Sequence, residues 1–180
     1  MLGPLLVGRD GVELRPPTLE DQIARLAWVA FPEVTRFWGP RAGELTKEKA
    51  EERFRREASA HDAIAWSIAY EGATVGMTGI FDIDWVRRDG ESGLIIGRPD
   101  LYGRGIASEA VRLRTRFAWS GLRLHRVHNW IAVQNRGSRR ANEKVGYVRI
   151  GLFERWILRS GQWIDDQMGE VFPERVFTAD

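Results

Sequence analysis

The sequence predicts a mixed α/β domain: a β-sheet with helices on its faces, in the order β-α-α-β-β-β-α-β-α-β-β. Three observations carry that expectation. Residue periodicity is helical near the start, becomes β-like in the middle, and then alternates between the two. Glycine and proline punctuate the runs where one element gives way to the next. The 180 residues, 43% hydrophobic and 29% charged, suit one globular domain spanning residues 1–180, with no linker, repeat or low-complexity segment.

The elements follow in order. Gly11–Pro17, "GVELRPP", alternates apolar and polar residues and stops at a proline pair, as a short strand does. Thr18 then caps a helix, with Asp21 three residues on and Ile23, Leu26, Ala27 and Ala30 at helical spacing. Thr46–Ala60 is a second, largely charged helix, whose "RFRRE" reads as a solvated face. Two β-rich runs flank Glu71-Gly72 and form a hairpin, and Glu91–Gly97, "ESGLIIG", suits a central strand. A helix follows with Ala107, Ala110, Val111, Leu113, Phe117 and Ala118 on its buried face and Gly121 as its stop. "RVHNWIAV" is the next strand, "GSRRANEKVG" a short helix ending at Gly146, and the rest a strand and hairpin around Ser160-Gly161.

Composition narrows the function. A net charge of +2 and the lack of any run of five like charges argue against a nucleic-acid partner. The absence of cysteine excludes disulfides, thiolate metal sites and a cysteine nucleophile. His61, His125 and His128 are too scattered for a metal cage, so no metal is expected. No basic leader precedes "MLGPLLVGRDG" and no apolar run approaches a membrane span, so a cytoplasmic protein without a membrane partner is expected.

The informative stretch is Leu101–Ala110, "LYGRGIASEA", between a strand and a helix. Gly103 and Gly105 let the backbone aim N–H groups at an anion, and the helix N-terminus adds partial positive charge. The plain alternative is a tight turn. A P-loop is excluded because no lysine follows Gly105. A dinucleotide fingerprint is excluded because Ser108 stands in the third glycine slot and no acidic residue follows at the required distance.

Tyr102-Gly103-Arg104-Gly105-Ile106-Ala107 resembles the [QR]-x-x-G-x-[GA] loop of the GNAT N-acetyltransferase superfamily, with tyrosine in the Gln/Arg slot. "NRGSRRANEKVGY", Asn135–Tyr147, is similar to the N-x-x-S-x-x-x-x-E-K-x-G-[FY] pattern of its RimJ/RimL-type branch at every marked position. "EVTRFWG", "ESGLIIG" and "GQWIDD" also resemble that branch in order and spacing, so the resemblance covers nearly the whole chain.

The resemblance implies a GNAT-like, mostly antiparallel sheet and an acetyl-CoA-dependent N-acetyltransferase. A primary amine would attack the thioester directly. It implies that loop residues 102–107 hold the pyrophosphate, that main-chain N–H groups of Leu94, Ile95 and Ile96 bind the thioester and pantetheine, and that Asn135 holds the cofactor arm. Ser138 is implied near the sulfur as general acid, a helix-start hydroxyl being its other reading. Two family positions are altered: Asn142 stands where many members have a tyrosine acid, and Trp130 where many have a glutamate. Glu91 is then the candidate base. Trp38, Asp82 and Asp84 are candidate walls of a pocket for a cationic acceptor. The acceptor is a protein N-terminus or a small amine or polyamine, and a homodimer is a candidate assembly. The rival reading is a catalytically silent acyl-CoA-binding or scaffolding module.

Overall fold

The first long helix starts where its side chains close a reciprocal cap. The Thr18 hydroxyl accepts the Asp21 N–H at 3.3 Å, and the Asp21 carboxylate accepts the Thr18 N–H at 2.9 Å. Such local signals place most elements of the chain, whose computed structural model describes residues 1–37, 45–159 and 161–176. In chain order they are β1 (Leu6–Val7), β2 (Val12–Arg15), α1 (Leu19–Trp28), α2 (Pro32–Thr35), α3 (Lys47–Ser59), β3 (Ile64–Tyr70), β4 (Ala73–Asp84) and β5 (Asp89–Ile96). A single 3-10 turn, Pro99–Leu101, leads on to α4 (Ile106–Ser120), β6 (Arg126–Ala132), α5 (Arg136–Glu143), β7 (Val148–Arg159), β8 (Gln162–Val171) and α6 (Pro173–Val176).

The expected order is present, with β1, α2, α6 and the 3-10 turn added. These extra pieces are two to four residues long, too short to carry a period, and tertiary partners define them. Leu6 and Val7 are a strand only because Leu14 and Glu13 lie opposite them. The hairpin at Glu71-Gly72 has φ of 51° and 80° at its two central residues, the primed turn that matches strand twist.

One eight-stranded sheet runs β1-β2-β3-β4-β5-β6-β8-β7. Every pairing is antiparallel except β5 with β6. That one parallel pairing is short. Asp89, Gly90 and Glu91 lie opposite Arg126, Val127 and His128, and beyond them the strands part. β5 continues along β4 to Ile96, while β6 continues along β8 to Ala132. A wedge opens between them.

The main core lies between the sheet and α4. Trp66, Ile68 and Ile80 meet Ile106, Ala110 and Val111, and the Trp66 and Phe117 rings sit edge to face at 5.4 Å. Burial of each large apolar side chain there contributes roughly 1.5–3 kcal/mol. The helix face also contains two polar residues that a hydrophobic count passes over, the fully buried Arg114 and Thr115. On the other face, Trp28 and Val34 pack on Met77 and Ile95. Strand alternation therefore sends Ser92 and Leu94 toward α4, and Glu91, Gly93 and Ile95 toward α1 and α3.

Candidate active site

The parting of β5 and β6 leaves a cavity of about 300 Å³ at the head of the wedge. β5 supplies Glu91 to Ile95, β6 supplies Asn129 to Ala132, and α5 turns Asn135, Ser138 and Asn142 toward it. Arg114 of α4 and Asp166 of β8 also line it. Of the residues singled out in the sequence, the structure brings together Glu91, Leu94, Ile95, Asn135 and Ser138. Ile96 continues the same strand beyond the cavity wall.

Loop 102–107 lies apart from the cavity lining, at the N-terminal end of α4. Gly103 and Gly105 have φ of 82° and 85°, and a Cβ on either would point into open space. They are required by backbone conformation, and the space they leave is free for a ligand. No intramolecular acceptor meets the N–H groups of Gly103, Gly105, Ile106, Ala107 or Ser108 among the described residues. Five N–H donors at the start of a fifteen-residue helix fit an anionic pyrophosphate. The Ile106 side chain is core, so it offers only its main chain. The Tyr102 hydroxyl donates to the Ile96 carbonyl at 3.2 Å, tying the loop to β5, and burial pushes its phenol pKa up. Arg104 is exposed.

Two carboxylates of the sheet, Glu91 and Asp166, face the cavity on its α1–α3 side. Burial, followed by the charges of Asp82 and Asp166, pushes the Glu91 carboxyl above its ordinary range. Burial also raises Asp166, with the Gln167 N–H at 3.1 Å opposing it. Asp166 was visible in "GQWIDD" only as a matching segment. Its register opposite Ala132 on β6 is what brings it to the site. The candidate acceptor residues fare differently. Asp82 is exposed, at φ 49°, and reaches the site only through its field on Glu91. Asp84 accepts the Val86 and Arg87 N–H groups at 2.9 Å each, closing the β4–β5 turn, so it is a turn residue and not a pocket wall. Trp38 lies outside the described residues. Trp130 and Phe81 supply aromatic lining, and behind Trp130 lie Phe153, edge to face at 4.9 Å, and Trp156, stacked at 6.0 Å.

On α5 the cap is Asn135, whose Oδ1 accepts the Ser138 N–H at 3.1 Å. That leaves the Asn135 amide N–H groups for a ligand. It also removes the capping role from the Ser138 hydroxyl, which has no protein partner among the described residues. Asn142 is locked in the core, donating to the Ser138 carbonyl at 2.8 Å and accepting from Asn129 Nδ2 at 2.9 Å. Tyr147 is buried away from the cavity, its hydroxyl 3.2 Å from Ser92 Oγ.

Opposite the strands, the Glu57 carboxylate accepts from Gln22 Nε2 at 2.6 Å and pairs with Arg53 at 2.7 Å. Arg25 lies among them, and burial, then the Arg53 charge, lowers its guanidinium to about 10.

Comparison with known proteins gives this arrangement a context. The family model described as "Acetyltransferase (GNAT) domain" matches residues 12–148. A Bacillus subtilis (strain 168) relative, YdaF, provisionally named as a ribosomal N-acetyltransferase, is 28% identical over 147 residues, covering 82% of this chain and 77% of its own. Among solved structures, the Vibrio cholerae spermidine N-acetyltransferase in complex with CoA and spermine superposes with a TM-score of 0.83. It is 17% identical and covers 93% of this chain and 98% of its own. Mycobacterium smegmatis RimJ in complex with CoA-disulfide gives 0.81 at 24% identity, over 96% and 87% of the two chains. At those identities the structural likeness is one of fold.

Proposed function

The chain belongs to the GNAT acetyltransferase family, and we propose that it acetylates a primary amine within the family's RimJ/RimL-type branch. It is an N-acetyltransferase that uses acetyl-CoA as donor. The acceptor we propose is a protein N-terminus or a small amine or polyamine. The observation that carries this reading is the wedge between β5 and β6, with unpaired N–H donors of loop 103–108 at one end and, at the other, a cavity lined by the half-buried Glu91 and the buried Asp166.

Each part has a role in this reading. Beyond Glu91, β5 has no strand partner on its β6 side, so the main-chain groups that Leu94–Ile96 turn to that side, apart from the Ile96 carbonyl held by Tyr102, are open to thioester and pantetheine amides. The loop N–H groups and helix end hold the pyrophosphate, and the Asn135 amide holds the arm. Glu91, raised by burial and neighbours, takes the proton from the attacking amine, and Asp166 beside it keeps the site attractive to a cation. Ser138 returns a proton to the departing sulfur. The asparagine-to-tyrosine segment supports the RimJ/RimL-type assignment.

Residues 1–180 are read as a single domain in the cytoplasm. No described helix is long and apolar enough to cross a membrane. Leu152, Leu158 and Trp163 share one face of β7–β8 at 50–57% exposure, beside an edge strand of twelve residues. A second copy, added antiparallel about a two-fold axis, fits that self-complementary edge and covers the face.

One observation favours the silent binding module: Asn142 and Trp130 occupy the usual acid and base positions, and Asn142 is tied into the core by two hydrogen bonds. Release of free thiol from acetyl-CoA, measured over a panel of amines and N-terminal peptides, decides between them. Turnover with an amine supports the enzyme. Tight CoA binding with no thiol release across the panel leaves the silent module.

A further inference from the structure

Arg114 is only 1% exposed, yet no carboxylate pairs with it among the described residues. Its Nη1 donates to Thr78 Oγ1 at 2.7 Å and to the Gly93 carbonyl at 2.9 Å, and its Nη2 donates to Ser92 Oγ at 3.1 Å. All three acceptors are neutral. The Nε–H is buried with no acceptor among the described residues. A buried guanidinium without an anion is costly, because neutral dipoles replace only part of its hydration. Tying α4 to β4 and β5 needs donors, which a neutral side chain supplies without that cost. The charge itself is left without a structural purpose, and it lines the cavity at the head of the wedge.

We propose that Arg114 is the fixed counter-charge for the sulfur of coenzyme A, stabilising the thiolate that leaves during acetyl transfer. This rests on the acetyl-CoA reading above. Arg114 lies nine residues beyond Gly105, about 13 Å along the α4 axis. The phosphates belong at the Gly105 end, and the pantetheine between them and the cavity is neutral. The acetyl carbonyl oxygen is charged only while the tetrahedral adduct lasts and faces the β5 main chain in this reading; the sulfur is the atom of the donor that leaves with a full negative charge near Arg114. As the amine nitrogen bonds to the acetyl carbon, the C–S bond breaks and its electron pair stays on sulfur. The nitrogen's proton passes to Glu91. Arg114 holds the sulfur charge in a site of low dielectric, so protonation of the thiolate follows as a separate step.

The other charged groups facing the cavity are Arg25 from α1, Arg53 and Glu57 from α3, Glu91 from β5 and Asp166 from β8. Arg53 and Glu57 pair with each other, and the remaining carboxylates lie on the opposite face of the sheet from Arg114. Those two carboxylates oppose a thiolate, so a lowered sulfhydryl pKa in the complex reports a cation close to the sulfur, and loss of the shift on replacing Arg114, with Arg25 untouched, assigns it to Arg114.

The test titrates the thiol of CoA bound to the full chain, by thiolate ultraviolet absorbance and by reactivity toward a disulfide reagent. The chain has no cysteine, so the disulfide-reagent signal belongs wholly to the ligand, and the protein titrated without CoA is the blank for the absorbance of its three tyrosines. The bound thiol is expected to titrate at least one pH unit below free CoA. Arg114→Met should abolish that shift, lowering the thiolate fraction about tenfold at fixed pH, and Arg114→Lys should restore part of it. A bound thiol that titrates in the wild-type protein as it does in solution overturns the proposal without any variant. An unchanged titration in a folded, CoA-binding Arg114→Met protein also overturns it. If Arg114→Met does not fold, the wild-type and Arg114→Lys titrations decide. Failure of the wild-type chain to bind CoA overturns the acetyl-CoA reading, and this proposal with it.

Discussion

Gly105 is where cofactor binding and backbone conformation meet most directly. It sits at φ 85° and ψ −9° as the residue before α4, and a Cβ there meets nothing within 4 Å. An alanine therefore clashes with no part of the protein. Its cost to the fold is the left-handed backbone alone, about 1–2 kcal/mol, and a β-branched valine costs more. The effect on ligand is separate, because the Cβ enters the space in front of the N–H groups of Gly105, Ile106 and Ala107. Displacing one charge-assisted hydrogen bond there costs about 1.5–3 kcal/mol, roughly a 10- to 150-fold loss of CoA affinity. Calorimetry on Gly105→Ala and Gly105→Val should show that loss, deeper for valine, with thermal unfolding still cooperative. Pantetheine, which lacks the phosphates, should bind both variants as it binds the wild-type chain. Wild-type CoA affinity in a folded Gly105→Val protein would refute the reasoning. So would an equal loss for pantetheine.

The other expectations separate neighbouring roles. Ser138→Ala should lower kcat about tenfold to a hundredfold if the hydroxyl protonates sulfur, while Asn135→Ala, which removes the helix cap, should cost about 1 kcal/mol of stability; a normal kcat for Ser138→Ala removes it as the acid. If Glu91 is the base, kcat/KM should rise with pH through a value above the ordinary glutamate range, and Glu91→Gln should flatten that limb; an unchanged profile assigns the base elsewhere, with Asp166→Asn the next variant. Asp21 would be raised by burial, but Arg15, Thr74, the Thr18 N–H and Ser67 hold it at about 2. Its folded value lies below the unfolded one, so its stabilisation of roughly 2 kcal/mol is present above pH 4 and is lost as pH falls toward 2. Denaturant unfolding should show Asp21→Asn with a constant deficit against the wild-type chain above pH 4 that shrinks away as pH falls toward 2. Leu152→Glu with Trp163→Glu should give a monomer by sedimentation if β7 is the dimer edge; a wild-type monomer rejects that assembly.

The parts of the fold that the sequence makes legible are those governed by local rules. Thr18 with Asp21, and Glu71 with Gly72, specify a cap and a turn whatever surrounds them. Gly103 and Gly105 likewise show their backbone conformation in their identity. Asp84 misleads for a related reason. Its carboxylate looks like a ligand in a string of letters, but the N–H groups two and three residues along the chain are nearer than any substrate. Asp166 and Trp130 are hidden differently. What brings them to Glu91 is strand order, with β6 lying next to β5, and β8 rather than β7 next to β6, and no local pattern carries that information.

Arg114 is the most instructive omission. Between Leu113 and Thr115 it reads as the polar interruption of an apolar helix face, which ordinarily turns outward to solvent. The helix cannot do that here, because Ala110, Val111 and Ala118 fix the rotation that buries it. Three neutral oxygens from β4 and β5 then accept its protons, and the wedge stands open beside it. The acid and base positions altered at Asn142 and Trp130 are proton-transfer positions. An arginine placed on the sulfur side stabilises charge without moving a proton. A chain with a buried asparagine where the family resemblance expects a tyrosine acid needs the leaving sulfur made acceptable by other means, and a guanidinium beside it meets that need without moving a proton.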